Sequence, residues 1–272
     1  MKSYLTVLSI AGSDSGGGAG IQADLKTMSA LGCFGTTAIT AVTVQNTLGV
    51  KGIHAIPVDI IRAQIEAVMD DLRPKAIKIG MVNRPEVAEM LGETLGRWEN
   101  VPVVFDPVMV ASSGDRLIEE KAVSMLRKHL LPLATLITPN LDEAGIITER
   151  SIRSCGEMVE AAQRTLELGA KNVLIKGGHL AGDVLYDVLL LANGEQEQFK
   201  SRRIDTKNTH GTGCTLSTAI ACGLAKGFSI KTAVDRARDY LQKALEYGKD
   251  VKTGEGHGPL NHFFQPSKQI IQ

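Results

Sequence analysis

The residues best suited to chemistry are His210-Gly211-Thr212-Gly213-Cys214, which stand just before a run of small and apolar residues, 215–225, that reads as a buried helix. Gly211 and Gly213 let the backbone approach a ligand and turn successive N–H groups inward. A helix start adds unpaired donors and a partial positive charge, so Gly211, Thr212 and Gly213 form a candidate anion site for a phosphate or for charge developing on one. Cys214 falls in the first helical turn, where a thiol's pKa tends to drop. The same residues also fit a plain glycine turn before a core helix, with Cys214 as a small packed side chain. A second glycine loop runs from Gly12 to Gly20, again between a strand and a helix. It does not fit GxGxxG in a clean register and lacks the Lys-Ser/Thr of a P-loop. It is either an ordinary turn or a place where a flat substrate lies close to backbone, with Asp24 further along the helix.

Other polar residues sit where apolar runs end. Asp106 closes the run 101–105 and could hold a metal–phosphate or a substrate hydroxyl; it could equally be a strand-end turn. Asn140 and Glu143 follow Thr138-Pro139 and share one side of a helical turn. Their oxygens suit Mg²⁺, which keeps several waters and binds phosphates through them, and they suit helix capping just as well. Gln45 ends the run 36–44; its amide offers a donor and an acceptor side by side, matching the edge of an aminopyrimidine, although an ordinary polar strand end reads the same. Lys176, before Gly177-Gly178-His179, could reach a phosphate or stay solvated.

The elements that must position these residues alternate. Strands are expected at 5–11, 36–44, 76–81, 101–105, 136–138 and 172–176, and helices at 18–32, 86–98, 119–131 and 156–168, with another that Asp59 could cap. A hairpin is expected from 184–191 and 197–204 around Asn193-Gly194. Helices follow at 211–226 and 230–247, the second with Ile230, Ala233, Val234, Ala237, Leu241, Ala244 and Leu245 on one face, and the tail from about 249 reads as irregular. Such alternation gives an α/β fold with a parallel sheet, helices on both faces, and ligands at the carboxyl ends of the strands. No linker or repeat divides 1–272, so one domain is expected. The 272 residues are 43% hydrophobic, and 30 basic residues balance 30 acidic ones, which excludes disorder and gives no support for a nucleic-acid partner. The four cysteines form no CxxC or zinc spacing. No apolar run approaches the ~20 residues of a membrane span, so a cytoplasmic protein with reduced thiols and no membrane partner is expected.

Together, Gly12-Ser13-Asp14-Ser15-Gly16-Gly17-Gly18-Ala19-Gly20 through Asp24, Thr43-Val44-Gln45-Asn46-Thr47, Lys78-Ile79-Gly80-Met81, Asp106-Pro107-Val108-Met109, Thr138-Pro139-Asn140-Leu141-Asp142-Glu143 and His210-Gly211-Thr212-Gly213-Cys214-Thr215 resemble the ribokinase superfamily. Within it, the chain resembles the hydroxymethylpyrimidine/phosphomethylpyrimidine kinases of thiamine synthesis over nearly its whole length. The resemblance implies a three-layer α/β/α fold and phosphoryl transfer from ATP with Mg²⁺ to the hydroxymethylpyrimidine and its phosphate. It makes Gly211, Thr212 and Gly213 the anion hole and Cys214 the catalytic base, where sugar kinases of the superfamily carry Asp. It puts Gly12, Gln45, Asp24, Met81, Asp106 and Val108 at the substrate, and Thr138, Lys176, Asn140 and Glu143 at the nucleotide. Asp106 and Glu143 would lie at the metal. It also leans towards a homodimer.

Three alternatives remain. A pyridoxal/pyridoxine kinase of the same fold runs the same chemistry on another ring, and the Gln45 context favours the aminopyrimidine. A cysteine hydrolase would use His210 and Cys214, but no third group is evident in the sequence to orient the imidazole. A non-catalytic nucleotide-binding module would bind ATP without releasing ADP.

Overall fold

The computed structural model of the chain describes residues 2–109, 120–178, 180 and 182–272. His179, and Glu119 as the start of a helix, lie outside the described residues. In order, the elements are β1 (Thr6–Asp14), α1 (Gly20–Ala30), β2 (Phe34–Asn46), β3 (Gly49–Ala55), α2 (Val58–Asp71), β4 (Ala76–Ile79), α3 (Pro85–Leu95) and β5 (Val103–Phe105). They continue with α4 (Glu120–Met125), β6 (Leu136–Ile137), α5 (Leu141–Thr148), α6 (Cys155–Glu167), β7 (Val173–Lys176), β8 (Val184–Leu190), β9 (Gln196–Arg202), α7 (Thr212–Ala225) and α8 (Ile230–Gly248).

All of these strands belong to one sheet in the order β3-β2-β1-β4-β5-β6-β7-β8-β9. The strands from β2 to β7 in that order pair in parallel, while β3, β8 and β9 pair antiparallel at the two edges. The strands alternate faces, as the period of two demands. Leu8, Ile10, Ile77, Ile79, Val103, Phe105, Val173 and Ile175 pack with side chains of α2 to α6. Val7, Ala76, Val104, Leu136 and Leu174 pack with α1, α7 and α8 on the other face. This is the three-layer α/β/α arrangement expected from the alternation. Burying a Leu or Ile of this kind contributes ~1.5–3 kcal/mol, so the two layers of contacts hold the sheet between its helices.

Chain order runs outward from β1 in both directions, so the crevice falls at the carboxyl ends of β1 and β4. Three differences from the sequence expectation matter. β3 was not expected, because Gly49 and Gly52 break the apolar pattern that marks a strand; it forms by pairing along β2. Asp59 does not cap α2: Pro57 holds that position and Asp59 lies in the first turn. In α8 the buried face also includes Tyr240, which was not among the expected residues; Leu241 packs partly buried against the core, and both Leu241 and Leu245 border a cavity. All four cysteines are free thiols. Among the described residues no helix is long and apolar enough to cross a membrane.

Candidate active site

β1 runs past its apolar stretch to Asp14, which organises the first glycine loop. Its Oδ1 accepts the N–H of Gly16 at 2.8 Å, and its Oδ2 accepts those of Gly18 at 3.0 Å and Ala19 at 2.8 Å. The same Oδ2 lies 2.8 Å from His210 Nε2. Burial opposes ionisation of Asp14, but the hydrogen bonds from His210 and Ala19 and the nearby imidazole outweigh it and hold the carboxyl below its usual range. The second glycine turn packs directly on the first. A Cβ at Gly18 would lie 2.3 Å from the His210 ring, and one at Gly211, where φ is 87°, would lie 1.9 Å from the Gly18 carbonyl oxygen. These glycines are required because two backbones meet there.

Gly211 caps α7, whose first turn carries Thr212, Gly213 and Cys214. The Thr212 N–H is already given to the Thr209 carbonyl at 3.2 Å. The anion donors expected from this turn therefore narrow to the amides of Gly211, Gly213 and Cys214, and Thr212 contributes as a lining residue. Gly213 is the point of closest approach to the acidic centre: a Cβ there would be 3.4 Å from both Asp106 Oδ2 and Lys176 Nζ.

Asp106 is 1% exposed. Its Oδ1 takes Lys176 Nζ at 2.8 Å and Thr138 Oγ1 at 3.2 Å, and its Oδ2 takes Ser217 Oγ at 3.2 Å. Burial opposes its charge, yet Lys176 and Lys78 outweigh that and keep the carboxyl ionised. Asn140 and Glu143 form a capping box on α5: the Glu143 N–H donates to Asn140 Oδ1 at 2.9 Å and the Asn140 N–H donates to Glu143 Oε2 at 2.8 Å. The capping reading of this pair is thus observed, and the capping oxygen Glu143 Oε2 also lies 4.0 Å from Lys176 Nζ. Burial pushes Glu143 up to about 7, opposed by Lys176 and reinforced by Asp106.

The thiol of Cys214 departs from expectation. It is buried, and burial pushes its pKa up to about 11 although it sits on a helix N-terminus. The Lys78 ammonium and an N–H of Gly20 pull it down, while Asp24 and Asp106 push it back up. Desolvation costs the thiolate more than one helix end returns. Lys78 is wholly buried and pairs with Asp24 at 2.8 and 3.0 Å; Asp24 also accepts from Thr218 Oγ1 at 2.7 Å and from Ser9 Oγ at 2.5 Å.

One cavity of about 710 Å³ gathers these groups. Gly12, Thr43, Gln45, Met81 and Val108 line it where β1, β2 and β4 end. Ile146, Leu185, Arg203, Ile204, Leu241 and Leu245 line it on the side of β8, β9 and α8. Asp106, Asn140, Glu143, Lys176 and Gly211 to Cys214 line the space between. Two expected lining residues are not on the wall. Asp24 lies beneath it, because its carboxylate neutralises Lys78, and Thr138 is fully buried behind Asp106. Sequence reasoning carried Asp14 and Lys78 only within the motifs and gave them no role of their own, and it did not foresee Leu241 and Leu245 as lining residues. For Lys78 a signal existed: it is a lone lysine inside an apolar strand, a position that demands a buried partner.

His210 Nε2 faces Asp14 and, at 3.4 Å, Gln45 Nε2. The orienting group absent from the hydrolase alternative thus exists as Asp14, but the imidazole is turned to Gln45 and not to the thiol. Among the described residues no cluster of three His, Cys, Asp or Glu could hold a metal alone. Asp106 and Glu143 still fit an ion that arrives on phosphates, because Asp106 raises the cost of ionising Glu143 and an added cation relieves it.

The family model described as Phosphomethylpyrimidine kinase matches residues 14–261. A hydroxymethylpyrimidine/phosphomethylpyrimidine kinase of Rhizobium meliloti is 50% identical over 94% of this chain and 96% of its own. The crystal structure of a phosphomethylpyrimidine kinase from Clostridium difficile is 44% identical with a TM-score of 0.79, covering 89% of this chain and 99% of that one. The pyridoxal kinase from Staphylococcus aureus in complex with AMP-PCP and pyridoxal is 32% identical with a TM-score of 0.87, covering 99% of each chain. A cavity at the β1/β4 crevice that joins Gln45 to a glycine turn and an acidic centre, in a chain this similar to those proteins, belongs to a phosphotransferase of the ribokinase-like fold and to the phosphomethylpyrimidine kinase family.

Proposed function

We propose that the chain, acting as one cytoplasmic kinase domain, phosphorylates 4-amino-5-hydroxymethyl-2-methylpyrimidine with ATP and then phosphorylates the monophosphate to the diphosphate, in thiamine biosynthesis. One observation carries this reading: the Gln45 amide and the Gly12 backbone share a cavity with the Gly211-Thr212-Gly213-Cys214 turn. The pyrimidine lies at the Gln45 end, where the amide pairs with the ring edge. The nucleotide lies towards Leu185, Arg203 and Leu241. Lys176 reaches the phosphates from between Asp106 and Glu143. In the first step the hydroxyl oxygen attacks the γ-phosphorus, Cys214 as thiolate takes its proton, and the bond from the γ-phosphorus to the bridging oxygen breaks to release ADP. The free amides at the start of α7 stabilise the charge on the equatorial oxygens, which is the main work in phosphoryl transfer. Glu143 and Asp106 would hold Mg²⁺ through its waters, and the ion supplies charge neutralisation on the phosphates. In the second step the nucleophile is already an anion and needs no base.

Val42, Val44, Leu48 and Ile53 leave apolar surface exposed on the β2–β3 hairpin, which supports a homodimer. The likeness to pyridoxal kinase favours a second reading with pyridoxal as substrate. An ADP-release assay with the hydroxymethylpyrimidine, its monophosphate and pyridoxal, each alone, tests both. A higher kcat/KM for the pyrimidine alcohol is expected, and a preference for pyridoxal overturns the assignment.

A further inference from the structure

The tail was expected to be irregular, and it has little regular structure, yet glycines stand at alternate positions: Gly254, Gly256 and Gly258. Each lies against another backbone or side chain. A Cβ at Gly254 would be 2.3 Å from Thr47 Oγ1, one at Gly256 would be 1.9 Å from the Thr47 carbonyl oxygen, and one at Gly258 would be 2.0 Å from Asn208 Oδ1. Each of the three close approaches falls on a residue with no side chain, and at Gly254 the backbone is left-handed, with φ 75°, so glycine is required there twice over. Thr47 uses both of its oxygens on this segment. Its carbonyl accepts the His257 N–H at 2.9 Å and its hydroxyl accepts the Gly256 N–H at 3.2 Å. Thr47 closes the β2–β3 turn two residues beyond Gln45.

The segment then crosses to the phosphoryl end of the site. The His210 N–H donates to the Gly258 carbonyl at 3.1 Å. His262 Nε2 lies 3.0 Å from the hydroxyl of Thr215, the residue after Cys214, and the His262 carbonyl accepts from Tyr240 OH at 2.9 Å. Asn208 Nδ2 holds the base of the segment through the carbonyls of Gly248 and Val251, each at 2.7 Å. A short stretch of backbone therefore spans the turn that carries Gln45, the residue that contacts Gln45, and the first turn of α7.

We propose that residues 254–262 are a strap that fixes the distance between the pyrimidine-reading turn and the phosphoryl-gripping turn, with Thr47 as its positioning residue. Phosphoryl transfer needs the attacking oxygen in line with the phosphorus, and a displacement near 1 Å costs rate. Gln45 sets where the ring sits and α7 sets where the phosphorus sits, so a tie between them sets the approach. Among the described residues no hydrogen bond joins Thr47 to β8, β9 or α8, the elements of the nucleotide end. Loosening the strap there should reach the alcohol substrate and spare ATP.

The test compares Thr47→Val, which keeps the volume but gives the Gly256 N–H no acceptor, with Thr47→Ser, which keeps the hydroxyl. Gly256→Ala, which pushes the strap off the Thr47 carbonyl, is the second disruption and carries the test if Thr47→Val melts below the assay temperature. The loss of one hydrogen bond should lower kcat/KM for the pyrimidine alcohol ~5-fold in Thr47→Val, with kcat sharing in the fall. KM for ATP should stay within about twofold of wild type, and Thr47→Ser should restore kcat/KM for the pyrimidine. The strap is refuted by an unchanged kcat/KM for the pyrimidine in both disrupting variants, by a rise of equal size in KM for ATP, or by Thr47→Ser behaving like Thr47→Val. The inference rests on the pyrimidine assignment of the Gln45 end. The two fail separately: a wild type that phosphorylates only pyridoxal overturns the assignment, and the strap is then read from the kcat/KM for pyridoxal.

Discussion

Replacing Cys214 by alanine separates the two phosphorylation steps. The thiol lines the cavity, but burial holds its pKa up at about 11. At pH 7 only ~10⁻⁴ of the free enzyme then carries thiolate. A base that scarce makes kcat/KM for the alcohol climb about tenfold per pH unit between pH 7 and 9, because this parameter reports the free enzyme's pKa. The phosphate step uses a nucleophile that is already ionised, with a second pKa near ~6, and should be flat over that interval. Removing the thiol takes away base assistance of ~10²–10⁴-fold on the alcohol step. That corresponds to ~2.7–5.4 kcal/mol at 1.36 kcal/mol per decade. The amides of Gly211, Gly213 and residue 214 survive the substitution, so the phosphate step should fall by less than ~10-fold. The assay is ADP release with each substrate at saturating ATP, from pH 6.5 to 9, for wild type and Cys214→Ala. Equal losses in the two steps, or a wild-type alcohol profile that does not rise with pH, would show that the sulfur positions the substrate and does not accept its proton.

Three further predictions follow from the buried groups. Lys78→Met leaves the wholly buried Asp24 without its counter-charge and should cost ~3–5 kcal/mol in urea unfolding. Adding Asp24→Asn should recover part of that loss, and strict additivity would contradict the pairing. Gly211→Ala puts a Cβ on the Gly18 carbonyl in left-handed backbone and displaces the anion donors, so kcat for both steps should drop ~10²-fold or more; a normal kcat would dismiss the interlocked turns. His262 is buried, and burial with the charge of Lys26 lowers its pKa from 6.5 to about 4. A histidine with a depressed folded pKa binds its proton more readily unfolded, so stability falls as pH drops from 6.5 to about 4, by at most ~3 kcal/mol. His262→Gln should remove that portion of the acid sensitivity, measured as urea midpoints at pH 7 and 4.5.

Much of the molecule was legible as sequence, for local reasons. Apolar runs such as 101–105 and 172–176 mark strands because both faces of a parallel sheet are covered. Polar residues at their ends mark the crevice because strand direction is shared. Gly211 and Gly213 before a small-residue helix mark the turn at the start of α7 because only backbone geometry is involved. β3 was not legible: its glycines weaken the pattern, and the strand exists by pairing with β2. The expected face of α8 is the one that packs on the core, but helical period shows which residues share a side and not that Tyr240 joins them or that Leu241 and Leu245 border a cavity.

The sequence by itself determined the layer order, the strand-end residues and the glycine turn before α7, since each depends on neighbours within a few positions. Tertiary structure alone decided the electrostatics. Asp14 and His210 are 196 residues apart, Lys176 and Asp106 are 70 apart, and Lys78 and Asp24 are 54 apart, and no local pattern joins them. Cys214 shows the division most plainly. Its place at the start of α7 was readable and argued for an acidic thiol, but the depth of its burial was not, and desolvation is the larger effect.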